Sequence, residues 1–326
     1  MIVLVTGGTG FIGSNLSQLL LSQGYHVRVL KRHSSSLLAL DGLEVELFNG
    51  DILDQDSLLP ALKGCDIVFH TAAVVSFHTA DREKMFNSNV LGTRNLVQAS
   101  LRAGISKFVH TSSVAALGHP TLGHSADETC TFDLNHYNNG YRLSKYCSEA
   151  EIYHGIKQGL QAVIVNPAVV IGPGDIHFHG GQLIRDIYKK RLFLAPSGGT
   201  NMVSVKDVAK GHLQAARNGR VGERYILSGE NMTHSRIFSI TAEIVGGIKP
   251  LFTIPQSVIM AAGHISETTA RLMNRKPWLS IDLARAAGCF HYYNCTKAAS
   301  ELGYSCSPIY DAIQEAFHWY RNNKLF

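Results

Sequence analysis

The chain has no stretch of 18 consecutive apolar residues among its 326, although 45% of its composition is hydrophobic, so no transmembrane helix is expected. It does not open on a charged segment followed by an apolar one. Its first residues read as a strand, and no secretory signal is expected. Six cysteines (Cys65, Cys130, Cys147, Cys289, Cys295 and Cys306) form no C-x-x-C pair and no disulfide-like framework, and read as reduced thiols in a cytoplasmic protein. Charge of one sign is also scarce. A net charge of +5 from dispersed basic residues suits an anionic cofactor or substrate and does not argue for nucleic acid, which is not an expected partner. Repeats and low-complexity segments are absent, which leaves a chain able to bury a large core as one large domain or two smaller ones.

What is present begins at the N-terminus. Four apolar residues, Ile2 to Val5, read as a buried parallel strand, followed by Thr6-Gly7-Gly8-Thr9-Gly10-Phe11-Ile12-Gly13. A helical pattern then places Ile12, Leu16, Leu19 and Leu20 on one face and stops at Gly24. Glycines at this spacing let backbone approach a pyrophosphate, and the first amides of the helix hold its charge. With a second strand at Tyr25–Leu30, the context is that of a dinucleotide site, with Gly7, Thr9, Gly10, Phe11, Ile12 and Gly13 as its expected residues. An NAD site places a carboxylate about 20 residues beyond the glycine turn. No acid occurs between Gly13 and Asp41; Arg28, Lys31, Arg32 and a serine cluster stand there instead, suited to a 2′-phosphate. The alternative is a solvated basic loop. NADP(H) is the expected cofactor, NAD(H) the second choice.

Strands follow at Val45–Phe48, Asp66–Phe69, Lys107–Thr111 and Ala162–Asn166, alternating with helical patterns, one of them over Asp81–Ala103. That alternation implies right-handed crossovers and an α/β fold, a doubly wound parallel sheet. Asp51, at the end of the third strand, reads either as an acceptor for an adenine amino group, with Ile52 on the ring, or as a helix N-cap. Thr71, Ala72 and Ala73 are small residues at a strand end that leave room for cofactor. Tyr141 and Lys145 lie at i and i+4 on one helix face, where an ammonium lowers a tyrosine pKa from about 10 towards usable acid–base chemistry. Ser113, beyond the fifth strand, would sit at the carboxyl edge of the sheet and hold a substrate oxygen beside Tyr141.

Pro167 marks the exit from the sheet, so residues 1–170 form the expected dinucleotide-binding part and 171–326 mainly the substrate-binding part. A return strand and helix are expected near 205–229, with Asp207 a candidate cap for the helix containing Val208 and Leu213. His177-Phe178-His179 resembles a metal pair but lacks a third ligand at suitable spacing, and reads as a loop over the site; no metal is expected. The amphipathic pattern over 253–273 fits a cleft lining, a neighbouring element or a membrane surface. A last helix sets Ile309, Ile313, Ala316, Phe317 and Tyr320 on one face.

Together TGGTGFIG, GDILD, HTAA, NVLGT, TSSVAALG, YRLSK, NPAVVIGP and NMVSVKDVA resemble the extended short-chain dehydrogenase/reductase superfamily, nearest its dihydroflavonol 4-reductase-like branch with hopanoid-associated sugar epimerases. The resemblance implies Ser113, Tyr141 and Lys145 as the catalytic set, with Asn89 behind it. It places Thr111 on the cofactor side and Pro167 and Val170 near the nicotinamide. Ser76, Ser113, Tyr141, Asn166 and Phe178 are the expected substrate contacts. Val114-Ala115 stand where dehydratases of the superfamily carry an Asp-Glu pair, which counts against dehydration. The implied activity is NADP(H)-dependent interconversion of a ketone or aldehyde and an alcohol, with a nucleotide-sugar epimerase as the alternative. A homodimer through the helices of Asn89 and Tyr141 is common in that superfamily.

Overall fold

The computed structural model describes residues 1–76, 78–118, 125–133, 140–273, 275 and 277–326. Seven strands form one parallel sheet: β1 (Ile2–Thr6), β2 (His26–Lys31), β3 (Glu46–Asn49), β4 (Ile67–His70), β5 (Lys107–Thr111), β6 (Ala162–Pro167) and β10 (Arg224–Leu227). Their spatial order is β10-β6-β5-β4-β1-β2-β3, so the order reverses between β1 and β4 and a crevice opens at that carboxyl edge. Strand side chains alternate across the sheet. Val3 and Val5 join a core with Leu16 and Leu20 of α1 (Phe11–Ser22), while Leu4 joins Leu58 and Leu62 of α2 (Gln55–Leu62) on the other face.

The helical pattern expected over Asp81–Ala103 is divided. α3 (Arg82–Phe86) passes through a wide π turn at Asn87–Leu91 into α4 (Gly92–Ala103). At Gly92 a Cβ would lie 2.6 Å from the Ile52 side chain, so only glycine lets this helix close on α2 and its loop. α5 (Gly140–Lys157) carries Tyr141 and Lys145 and packs against α4.

After β6 the chain crosses to a second, smaller sheet: β7 (Val169–Ile171) pairs with β9 (Gly199–Ser204), which also pairs with β11 (Glu230–Thr233) and β13 (Phe290–His291). Between β7 and β9 lie α6 (Gly181–Tyr188) and β8 (Leu194–Pro196). α7 (Val205–Asn218) then packs on α1, and β10 returns to the large sheet beside β6. Two helix caps differ from expectation. Ser204, not Asp207, caps α7, because Asp207 is buried and accepts from the Ser307 amide and hydroxyl at 2.6 and 3.1 Å. Asp54, not Asp51, caps α2.

The remaining chain completes the smaller lobe with α8 (His234–Val245), β12 (Phe252–Ile254), α9 (Gln256–Leu272), α10 (Ile281–Ala287), α11 (Thr296–Leu302) and α12 (Ile309–Asn322). Its own core joins Ile184, Ile237, Ile313 and Phe317. Among the described residues no helix is long and apolar enough to cross a membrane, and no three metal-ligating side chains gather.

Candidate active site

Because the strands are parallel, Thr6, His70, Thr111 and Pro167 end on one edge. Gly7 leaves β1 at φ +69°, and a Cβ there would lie 2.6 Å from the Ala72 amide nitrogen, so the loops after β1 and β4 meet backbone to backbone. At Gly13 a Cβ would collide with the Gly7 carbonyl oxygen. α1 therefore starts tight against the turn, and its N-cap, Gly10, offers no side chain to its first amides. That cradle fits a diphosphate. Thr9, Phe11 and Ile12 lie half-buried along it.

A buried chain of hydrogen bonds runs behind this turn. Thr6 Oγ1 lies 2.7 Å from His70 Nδ1, His70 Nε2 lies 2.9 Å from Thr93 Oγ1, and Thr93 Oγ1 donates to the Asn89 carbonyl at 2.6 Å. Since Thr93 gives its proton to Asn89, the network assigns the His70 proton to Nε2 and makes Nδ1 the acceptor. Burial, then the nearby Lys145 charge, pushes the His70 pKa down to about 3, so the ring is neutral. Asn89 clasps one residue of the loop after β4, Val74: its Oδ1 accepts from Val74 N at 2.7 Å, while Nδ2 donates to Val74 O and to Ser144 Oγ at 2.9 and 3.0 Å. Its amide is spent on positioning the loop against α5. The π turn is what turns it inward.

Ser113 follows β5 and caps a short 3-10 turn, its Oγ accepting from Ala115 N at 3.1 Å. The Tyr141 hydroxyl shares a hydrogen bond with it. Lys145 is 4% exposed and donates from Nζ to the Thr111 carbonyl at 2.8 Å. Burial lowers its pKa to about 8, against the upward pull of Glu149. The Tyr141 pKa is raised, not lowered: burial outweighs the Ser113 bond, while the ammonium of Lys145 is turned to Thr111. Thr111 spends its hydroxyl on His212 at 2.8 Å.

The family model "NAD dependent epimerase/dehydratase family" matches residues 3–228. The chain belongs to that family. Its relatives include a Synechocystis sp. protein provisionally named dihydroflavonol 4-reductase, 38% identical over 98% of this chain and 94% of its own. Another is sterol demethylase protein B of Methylococcus capsulatus, 34% identical over 100% of both chains. A solved nucleoside-diphosphate-sugar epimerase from Pseudomonas aeruginosa is 25% identical, with a TM-score of 0.84 over 100% of this chain and 99% of that one. In this family, part of the extended short-chain dehydrogenase/reductase superfamily, the chain is an enzyme of the oxidoreductase type acting on CH–OH groups with a nicotinamide cofactor.

Within the family fold the expected site residues separate. Lys31 is half-buried at the carboxyl end of β2, and Arg32 is exposed beside it in a turn closed by Ser35; neither has an ion pair among the described residues. Arg28 is a correction: its Nη1 donates to the carbonyls of Ala61 and Lys63, both at 2.8 Å, and its Nε lies 2.9 Å from Glu46 Oε1, so it ties the far end of α2 to the sheet. Asp51 is half-buried at the end of β3 and accepts from Leu53 N at 2.9 Å; Ile52 is buried against Gly92. Thr71 donates to the Thr6 carbonyl at 2.7 Å, and Ala72 and Ala73 line the same edge. Pro167 pairs with Leu227 at the end of β6, and Val170 lies in the second sheet opposite Val203.

The expected substrate contacts divide likewise. Ser113 and Tyr141 meet. Ser76 donates to Asp81 at 2.6 Å. Asn166 is fully buried; its Nδ2 is spent on the Ser113 carbonyl at 3.0 Å and on Glu149 at 2.7 Å and so holds Ser113, while its Oδ1 has no partner among the described residues. Phe178 stacks on Tyr320 at 4.9 Å under the Arg185 guanidinium, so its ring is committed to the smaller lobe. Thr6, His70 and Thr93, a hydrogen-bonded chain that ends on Asn89, and Glu149 lie outside the residues expected from the motifs. Glu149 repeats the four-residue spacing of Tyr141 and Lys145 on the same helix face, a signal available in the sequence.

Proposed function

We propose that this chain is an NADP(H)-dependent oxidoreductase that interconverts a ketone or aldehyde and the corresponding alcohol. The observation that carries this reading is the meeting of Tyr141 and Ser113 above buried Lys145, on the same sheet edge as the glycine turn. Gly7 and Thr9 to Gly13 would hold the diphosphate, Asp51 and Ile52 the adenine end, Lys31 and Arg32 the 2′-phosphate, and Lys145 the nicotinamide ribose. The dihydroflavonol 4-reductase name borne by the Synechocystis relative supports a reductase.

When bound, the nicotinamide supplies or accepts the hydride. Ser113 holds the substrate oxygen by its hydroxyl. In reduction Tyr141 gives its proton to that oxygen; in oxidation it takes the proton back. A hydroxyl whose pKa burial keeps high is a proton carrier that stays protonated in the resting enzyme, the form that reduction requires. A cationic Lys145 brought near the phenolate would favour proton release.

An epimerase is the second reading, favoured by the Pseudomonas aeruginosa nucleoside-diphosphate-sugar epimerase. The experiment is turnover with a panel of ketones, aldehydes and nucleotide sugars, following NADPH absorbance. Stoichiometric loss of NADPH supports the reductase. Product formed with no change in NADPH moves the epimerase to first place.

A further inference from the structure

Glu149 is 2% exposed, on α5 one turn beyond Lys145 and two beyond Tyr141. A buried carboxylate is costly unless its oxygens are filled, and three strand ends fill these. Ser112, last before Ser113, donates from Oγ to Oε1 at 2.5 Å. Asn166, from the end of β6, donates from Nδ2 to the same oxygen at 2.7 Å. Arg224 of β10 brings Nη1 to within 3.5 Å of Oε2. Asn166 Nδ2 also donates to the Ser113 carbonyl at 3.0 Å, so Glu149 reaches Ser113 from both sides: through Ser112 along the chain and through Asn166 across the sheet. The charged groups facing it are Lys145 on its own helix and Arg224 from β10, with the Tyr153 phenol one turn on.

We propose that Glu149 is a positioning residue, which fixes the Ser113 hydroxyl against Tyr141 by anchoring Ser112 and Asn166 to the catalytic helix. The inference rests on the Ser113–Tyr141 reading above. Its structural logic is that Lys145 and Ser148 of α5 already hold Thr111 and His110 of β5, at 2.8 and 3.1 Å, whereas Glu149 is the tie that reaches past the strand to the Ser112–Ser113 exit. Without it that exit can shift relative to the helix, and misplacement by about 1 Å far from the chemistry costs on the order of 10²-fold in rate.

The test compares Glu149→Leu, which removes the acceptor, with Glu149→Gln, whose amide oxygen can still accept from Ser112 and Asn166. The Leu variant is expected to lose about 10–100-fold in kcat per folded molecule with NADPH affinity kept within about two-fold, and the Gln variant to recover most of that loss. Tyr141→Phe runs in parallel: if it retains full activity, the catalytic reading itself falls. If it is inactive while Glu149→Leu turns over within about two-fold of the parent, only the positioning role falls. Should Glu149→Leu not fold, Ser112→Ala removes one bond from the same oxygen, and an unchanged kcat there overturns the proposal. A readout without substrate is the carbon-13 titration of labelled Tyr141. The Ser113 bond holds its pKa down, so the pKa rises in Glu149→Leu and stays near the parent's in Glu149→Gln. Equal titration in all three chains contradicts the role.

Discussion

Tyr141 is expected to be chemically necessary and structurally dispensable. Tyr141→Phe removes one hydroxyl from a half-buried ring and leaves Lys145 on Thr111, so kcat should fall by about 10²–10⁴-fold with little loss of NADPH affinity, measured by steady-state kinetics beside a nucleotide titration. Gly13 is the opposite case. A methyl there meets the Gly7 carbonyl and the Thr71 hydroxyl, so Gly13→Ala should destabilise the fold by about 1–3 kcal/mol and weaken nucleotide binding, seen by denaturant unfolding and titration. Both residues were legible in the sequence because their meaning is local: a glycine turn after a strand, and two residues one helical turn apart. Arg28 was misread for a reason of distance. It lies three residues before the end of β2, about 10 Å back from the carboxyl edge at 3.3 Å per residue, where Ala61, Lys63 and Glu46 already occupy it. Asn166 and Phe178 stand near the site in sequence, but their partners lie on α5 and α12, which no local pattern announces.

The parallel strands were readable at the level of elements, since buried four- to six-residue apolar runs between helical patterns have few other solutions. The π turn at Asn87–Leu91 was not. An extra residue in a helix leaves the apolar periodicity nearly intact, and its purpose, turning Asn89 onto Val74 and Ser144, depends on chain 15 and 55 residues away. Helix caps went the same way, because acidic residues near a helix start look alike until their partners are known. Ser204 caps α7, the helix that packs on α1 behind the glycine turn. Ser204→Ala should therefore cost about 1 kcal/mol in stability by denaturant unfolding. Asp207 holds Ser307 instead, joining α7 to the segment before α12.

Across the whole molecule, buried histidines tie stability to pH. Burial lowers His70 to about 3 and His212 to about 4, and pushes His110 well below its ordinary value. Each is neutral when folded and free to take a proton when unfolded. Their contribution is full above about pH 6.5 and is lost as pH falls towards those folded values, by up to about 1.4 kcal/mol per pH unit for each proton. Glu128 and Glu149, raised by burial, work in the opposite sense and offset part of the slope. Unfolding free energy measured from pH 7 to 5 should fall, and fall less steeply in His212→Gln.

The return of β10 to the large sheet beside β6 puts Arg224 behind the catalytic helix, so a strand late in the sequence helps to build the site. In the proposed function the edge bearing Lys31 and Arg32 selects NADPH. Fluorescence titration of the purified protein with NADPH and with NADH tests it directly. Binding of NADPH at least ten-fold tighter, about 1.4 kcal/mol, with the difference lost in a Lys31→Ala/Arg32→Ala variant, is the expected result. Equal affinities, or tighter binding of NADH, would contradict it and leave the basic residues as a solvated loop.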